Sequence, residues 1–158
     1  VRLLLVAVGR MKSGPETELA DRYQDRAAKA GKSLGFRSVD VVVLDESRSA
    51  DSAQRKADEA AGILKVAAGR IVALDERGKA IASDAFAARL GQWKDSGEDA
   101  TTLVIGGPDG LDATIRDKAD LVISFGAMTW PHQLVRVMAL EQIYRAVTIL
   151  SGHPYHRV

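Results

Sequence analysis

Residues 2–8 read RLLLVAV and carry no polar side chain after the first. So short and uniform an apolar run is a strand covered on both faces, since a half-exposed strand or a surface helix would interleave polar residues. Runs of the same kind recur at 37–44 (RSVDVVVL), 70–75 (RIVALD), 101–105 (TTLVI) and 120–125 (DLVISF). Helical patterns separate them. Residues 15–30 open on Pro15 with Glu16 and Glu18 in the first turn, carry Leu19, Tyr23 and Ala27 on one face, and close at Gly31. Residues 51–67 form an alanine-rich stripe through Ala53, Ala57, Ala60, Ile63, Leu64 and Ala67, ended by Gly69. A third helix starts at Ser83 and Asp84 and carries Phe86, Leu90 and Trp93, with Trp93 expected in the core. Leu111 to Lys118 is a short fourth helix, and 131–150 a long fifth beginning at Pro131. Strict alternation with short connections predicts a mostly parallel five-stranded sheet with helices on both faces. No linker or repeat divides the 158 residues, so the expectation is one domain spanning 1–158.

Small-molecule sites in such sheets form beyond the carboxyl ends of strands, where backbone amides are free. Two loops stand out there. GGPDG at 106–110 lacks the spacing of a dinucleotide or Walker A loop. It is either a plain tight turn or a place where glycine backbone lies against a flat group. The loop SFGAMTW at 124–130 holds Phe125, Met128 and Trp130, apolar groups that need either the core or an adenine-sized pocket. In the first loop, GRMKSG, Arg10 and Lys12 read as solvated charge or as anion contacts. The last helix has an apolar arc broad for one sheet contact; packing against a second subunit as well would account for it, and a monomer could also bury it. The polar tail SGHPYHRV is either a frayed terminus or a set of groups able to stack on a base and meet phosphate.

Composition excludes several chemistries. With no cysteine there is no disulfide, thiolate metal site or cysteine nucleophile, which fits a reducing cytoplasm. His132, His153 and His156 lack zinc spacing, so no metal is expected. No apolar run reaches the ~18 residues of a membrane span, and the opening run reads as a strand rather than a signal peptide. A net charge of +1 gives little nonspecific affinity for nucleic acid.

Several segments together resemble the small SPOUT-class ribosomal RNA methyltransferases. They are TWPHQLVRVMALEQIYRA (129–146), HPYHR (153–157), LDERGKAIASDAFA (74–87), IGGPDG (105–110) and the opening strand. The resemblance covers nearly the whole chain. It implies an α/β fold with a mostly parallel five- to six-stranded sheet, helices on both faces and a C-terminal trefoil knot. It also implies an obligate homodimer that uses S-adenosylmethionine. The implied reaction is methylation of N3 of pseudouridine 1915, in helix 69 of 23S rRNA within the assembled 70S ribosome. Carried over motif by motif, the cofactor residues are Leu74, Gly106, Phe125, Gly126, Ala127, Met128, Thr129 and Trp130. Ala127 stands where the family often has a basic or hydroxyl-bearing residue. His156, Tyr155 and Arg145 are the candidates near the target base, with Arg145 a candidate to come from the partner subunit. The absence of cysteine fits, because N3 methylation does not need a covalent thiolate. The alternatives are a SPOUT-class enzyme acting on another RNA such as tRNA, and a non-catalytic RNA- or ribosome-binding module.

Overall fold

The computed structural model describes residues 1–157. The chain runs β1 (Arg2–Val8), α1 (Pro15–Gly31), β2 (Ser38–Leu44), α2 (Ser52–Val66), β3 (Arg70–Lys79), α3 (Ser83–Asp95), β4 (Ala100–Ile105), α4 (Ala113–Lys118), β5 (Leu121–Ile123) and α5 (His132–Ser151). The strands form one sheet in the order β2-β1-β4-β3-β5, and every pairing is parallel. β1 lies centrally and is apolar throughout because each face of the sheet is covered. Leu3, Leu5 and Ala7 pack with α1, α3 and α5, whereas Leu4, Val6 and Val8 pack with α2 and α4. Phe36, Phe86, Leu90 and Trp93 join the first layer, so Trp93 is a core anchor as its spacing indicated.

Four boundaries differ from the sequence reading, each for a local reason. β3 continues past Asp75 to Lys79, with an irregular register between Leu74 and Lys79 where both oppose Ile123. β5 is shorter than DLVISF because Ser124 already bends away. α4 begins at Ala113, since the Asp112 carboxylate accepts from the N–H and hydroxyl of Thr114 and caps the helix there. After α1 a 3₁₀ turn, Lys32–Leu34, carries the chain to Gly35, whose left-handed φ of 93° stops it in place of Gly31.

α5 packs against α1 and α3 together, burying Val137, Leu140, Ile143, Ala146 and Val147. Much of its broad apolar arc is therefore satisfied within one protomer. Leu134 on α5 and Leu19 on α1 stay exposed. Among the described residues, no helix is long and apolar enough to cross a membrane.

Candidate cofactor site

The site begins with the register. Leu74 ends the regular part of β3 and opposes Ile105 of β4 on one side and Ile123 of β5 on the other. Three strands thus finish on three aligned apolar residues, which form the floor of a cleft of about 340 Å³. That size suits a small-molecule ligand. Three segments wall it: Asp75–Arg77 in the irregular extension of β3, Gly106–Leu111 after β4, and Ser124–Trp130 (without Ala127) after β5. Lys56, His132 and Val135 complete the lining.

Of the residues named from sequence, Leu74, Gly106, Phe125, Gly126, Met128, Thr129 and Trp130 line this cleft. Ala127 does not. Ile105 and Ile123 were missed, although each is the last apolar residue of its strand, the signal that would have found them. Met128 is 78% exposed, far more than a core residue, so the loop's apolar groups are split between packing and an open rim.

The glycine loop owes its shape to itself. A Cβ at Gly106 would lie 2.8 Å from the Gly110 carbonyl carbon, so the loop doubles back too closely for a side chain. The Gly110 N–H donates to the Gly107 carbonyl at 2.9 Å, closing a turn over Pro108 and Asp109. Here the tight-turn reading holds, and the same turn supplies a wall of the cleft. Its tip is pinned from α2. Arg55 makes a two-pronged bond to Asp109, Nε to Oδ2 at 2.8 Å and Nη2 to Oδ1 at 3.1 Å, while its Nη1 donates to the carbonyls of Ser49 and Ala50. The Arg55 bonds hold the Asp109 carboxyl below the ordinary carboxylate range.

Asp109→Asn breaks the fork and loosens the loop. A carboxyl whose folded pKa is depressed contributes stability above its unfolded value, near ~3.9, and loses it as pH falls through the lower folded value. The variant is therefore expected to be less stable than the parent at neutral pH, with the difference shrinking below about pH 4. Urea unfolding across pH reads this directly; a gap independent of pH would remove the ion pair as its cause.

The tail groups assemble elsewhere. The Tyr155 hydroxyl donates to Glu141 Oε1 at 3.0 Å, and Arg145 donates to the same oxygen through Nε at 2.9 Å and reaches it with Nη2 at 2.6 Å. Arg145 lies 4.8 Å over the Tyr155 ring, which meets Tyr144 edge-on at 4.7 Å. The frayed-terminus reading is overturned: the tail is folded onto α5. Burial, with Tyr23 and Glu141 adding to it, pushes the Tyr155 phenol far up, so it stays protonated. Arg145 Nη1 stands 3.1 Å from His156 Nδ1. A guanidinium can only donate, so Nδ1 must present its lone pair and the ring's N–H falls on Nε2.

His156, Tyr155 and Arg145 thus come together, but not with the cleft of their own protomer. His132 lies at the cleft, and at about 1.5 Å rise per residue Arg145 is about 20 Å further along α5.

The family model described as "Predicted SPOUT methyltransferase" matches residues 1–156. The chain is 57% identical over 159 aligned residues to a ribosomal RNA large subunit methyltransferase H from Rhodopseudomonas palustris (strain HaA2), covering 99% of both chains. It is 56% identical, with the same coverage, to the protein of that name from Nitrobacter winogradskyi. Among solved structures, a probable methyltransferase from Bordetella pertussis Tohama I shares the fold, with a TM-score of 0.50 at 12% identity over 92% of this chain and 93% of that one. A parallel sheet with a cleft at its carboxyl edge, matched from end to end, places this chain in the SPOUT methyltransferase family, among the ribosomal RNA large subunit methyltransferase H proteins.

Proposed function

We propose that this protein transfers the methyl group of S-adenosylmethionine to N3 of pseudouridine 1915 in helix 69 of 23S rRNA, on the 70S ribosome in the cytoplasm. Residues 1–158 act as one methyltransferase unit within a homodimer. The observation that carries this reading is the separation of cleft and tail along α5. Each protomer has a cofactor-sized cleft at one end and an Arg–His–Tyr cluster at the other, so a second copy is needed to bring them together.

The cleft fits the cofactor on its own chemistry. Leu74, Ile105 and Ile123 give an apolar floor for a flat heterocycle. Glu76 puts an exposed carboxylate on the rim, suited to hydroxyl and cationic groups, while the Asp75 carboxylate, its side chain largely buried, is held by Arg116 at 3.5 Å. S-adenosylmethionine supplies an electrophilic methyl carbon; Leu74, Gly106 and the Phe125–Trp130 loop would hold it. The knot implied by the resemblance would close where residues 75–79 overlie the end of β5.

Methylation at N3 forms an N–C bond as the sulfonium S–CH3 bond breaks, the electron pair leaving on the thioether sulfur of S-adenosylhomocysteine, and releases the N3 proton. As that proton leaves, negative charge spreads to the two flanking carbonyl oxygens. Tyr155 remains a phenol and His156 presents an Nε2–H, so both are donors. With the Arg145 guanidinium they form a set that stabilises this charge. The proton itself goes to water. Catalysis is then mostly positioning and electrostatics.

Incubating the protein with radiolabelled S-adenosylmethionine and 70S ribosomes lacking the modification is expected to label 23S rRNA. Because a methyl on N3 blocks base pairing, reverse transcription should stop at position 1915. Label on tRNA alone would replace the substrate. No label from folded, cofactor-binding protein would leave a binding module.

A further inference from the structure

Arg136 is 5% exposed, yet no carboxylate among the described residues pairs with it. Its Nη2 donates to the Gly9 carbonyl at 2.6 Å, and its Nε has no partner among the described residues. Burial alone pulls its pKa down. An uncompensated cation taken out of water is costly, by several kcal/mol in general, and each unmade hydrogen bond adds to that. Such a group is normally completed by an anion from outside.

The space for one is present. Arg136 lines a cavity of about 440 Å³ over the second half of β2, at Val41 and Val43, walled by α1, α5 and the loop that follows β1. Arg10 lines it too, at the mouth. The Arg10 Nε bonds Asp45 at 3.0 Å, but both side chains are largely exposed. A pair of that kind contributes little and can be exchanged for a better partner. Asp21, also at the mouth, is exposed and pairs with neither arginine.

Position identifies the anion. β1 lies beside β4, with Ala7 opposite Ile105, so this cavity and the cofactor cleft share one edge of the sheet. On α5, His132 lines the cleft and Arg136 lines the cavity, one helical turn or about 6 Å apart. That is within reach of a phosphate attached to a nucleotide whose base faces the cleft. A carboxylate from a second copy of the chain would also meet a guanidinium. It would leave most of 440 Å³ unfilled, whereas a phosphodiester with its ribose occupies it.

We propose that the Arg136–Arg10 cavity is a phosphate subsite that grips the RNA backbone next to the target nucleotide. This rests on the methyltransferase reading above. With a net charge of only +1, the protein has little nonspecific attraction for phosphate, so a contact built into the fold weighs heavily.

The test measures ribosome affinity against salt, together with cofactor affinity, dimer mass and methyl transfer, for the parent, Arg136→Met, Arg136→Lys and Arg10→Gln. The parent must label 23S rRNA; if it does not, the methyltransferase reading fails and the subsite with it. Given an active parent, Arg136→Met is expected to raise KM for ribosomes about tenfold or more. It should flatten the log–log salt slope by about 0.7–0.9 at unchanged cofactor affinity and dimer mass. Arg136→Lys should keep the slope and recover part of the affinity. Arg10→Gln, at an exposed position, should flatten the slope by a similar amount and covers the case in which Arg136→Met fails to fold. A merely structural bond to Gly9 would not move the slope. Unchanged slopes in the folded variants overturn the proposal, and so does dissociation of the dimer on Arg136→Met, which would assign the cavity to a carboxylate of the second copy.

Discussion

Ending the chain at Gly152 is expected to lower methyl transfer by about 100-fold or more while leaving cofactor affinity within about twofold. The tail beyond Gly152 carries Tyr155 and His156, two of the three donors set around Glu141 and Arg145. Donors aimed at developing charge are each worth about 10²–10³ in rate when removed. None of these residues lines the cleft, so binding of the cofactor should survive. The helix should survive too. Gly152, with a left-handed φ of 74°, keeps its own capping bonds to the carbonyls of Ile149 and Thr148, although the His153 N–H bond to the Thr148 carbonyl is lost. What is lost structurally is the edge-on contact of Tyr155 with Tyr144 and a few bonds, about 1–2 kcal/mol. Calorimetric titration with S-adenosylmethionine and single-turnover labelling separate the two effects. An unchanged rate would remove the tail from catalysis.

The same truncation tests which subunit is served. A tail-less chain with an intact cleft can be mixed with a full-length chain whose cleft wall is deformed by Gly106→Val, since the added side chain forces the Gly106–Gly110 turn apart. The mixed dimer should regain one working site, because the full-length partner supplies its tail. If each tail served its own cleft, the mixture would stay inactive.

A large loss of stability is expected from Gly78→Ala, about 3 kcal/mol or more. Gly78 lies in the extension of β3 that crosses the end of β5. A Cβ there would stand 2.6 Å from the Ile123 carbonyl carbon and 2.7 Å from that of Val122. Those atoms are backbone, and they are held. Val122 and Ile123 pair with Ala73 and Leu74, and the Ser124 N–H donates to the Lys79 carbonyl at 3.0 Å. Relief therefore requires breaking the β3–β5 pairing or lifting the crossing. Either movement shifts the Asp75–Arg77 and Ser124–Trp130 walls together, so cofactor affinity should fall with stability. Urea unfolding and cofactor titration read both. A loss under about 1 kcal/mol would mean that the crossing is looser than its geometry indicates.

Much of the fold is legible in the chain because it is encoded locally. An apolar run such as RLLLVAV reads as a strand covered on both sides, and Pro15 marks a helix start through backbone chemistry within a few residues. The two glycine-bearing loops are visible for the same reason. Leu74, by contrast, entered through resemblance, since nothing in LDERGK singles it out. The end of β3 was misjudged because a strand's length depends on its neighbour: Lys79 is extended only because Ile123 and Ser124 lie opposite it.

The sequence by itself determined the alternation of elements, the covered faces of the strands and the loops that wall the cleft, since each depends on periodicity or turn chemistry over fewer than about ten residues. Tertiary structure alone decided the rest. Parallel register aligned Leu74, Ile105 and Ile123 into one floor, although they are far apart in the chain. Packing of α5 on α1 buried Arg136 beside Gly9, and the length of α5 set the tail about 20 Å from the cleft. Those are contacts between distant segments. Side-chain periodicity records which face of an element is covered, and carries no information about what covers it.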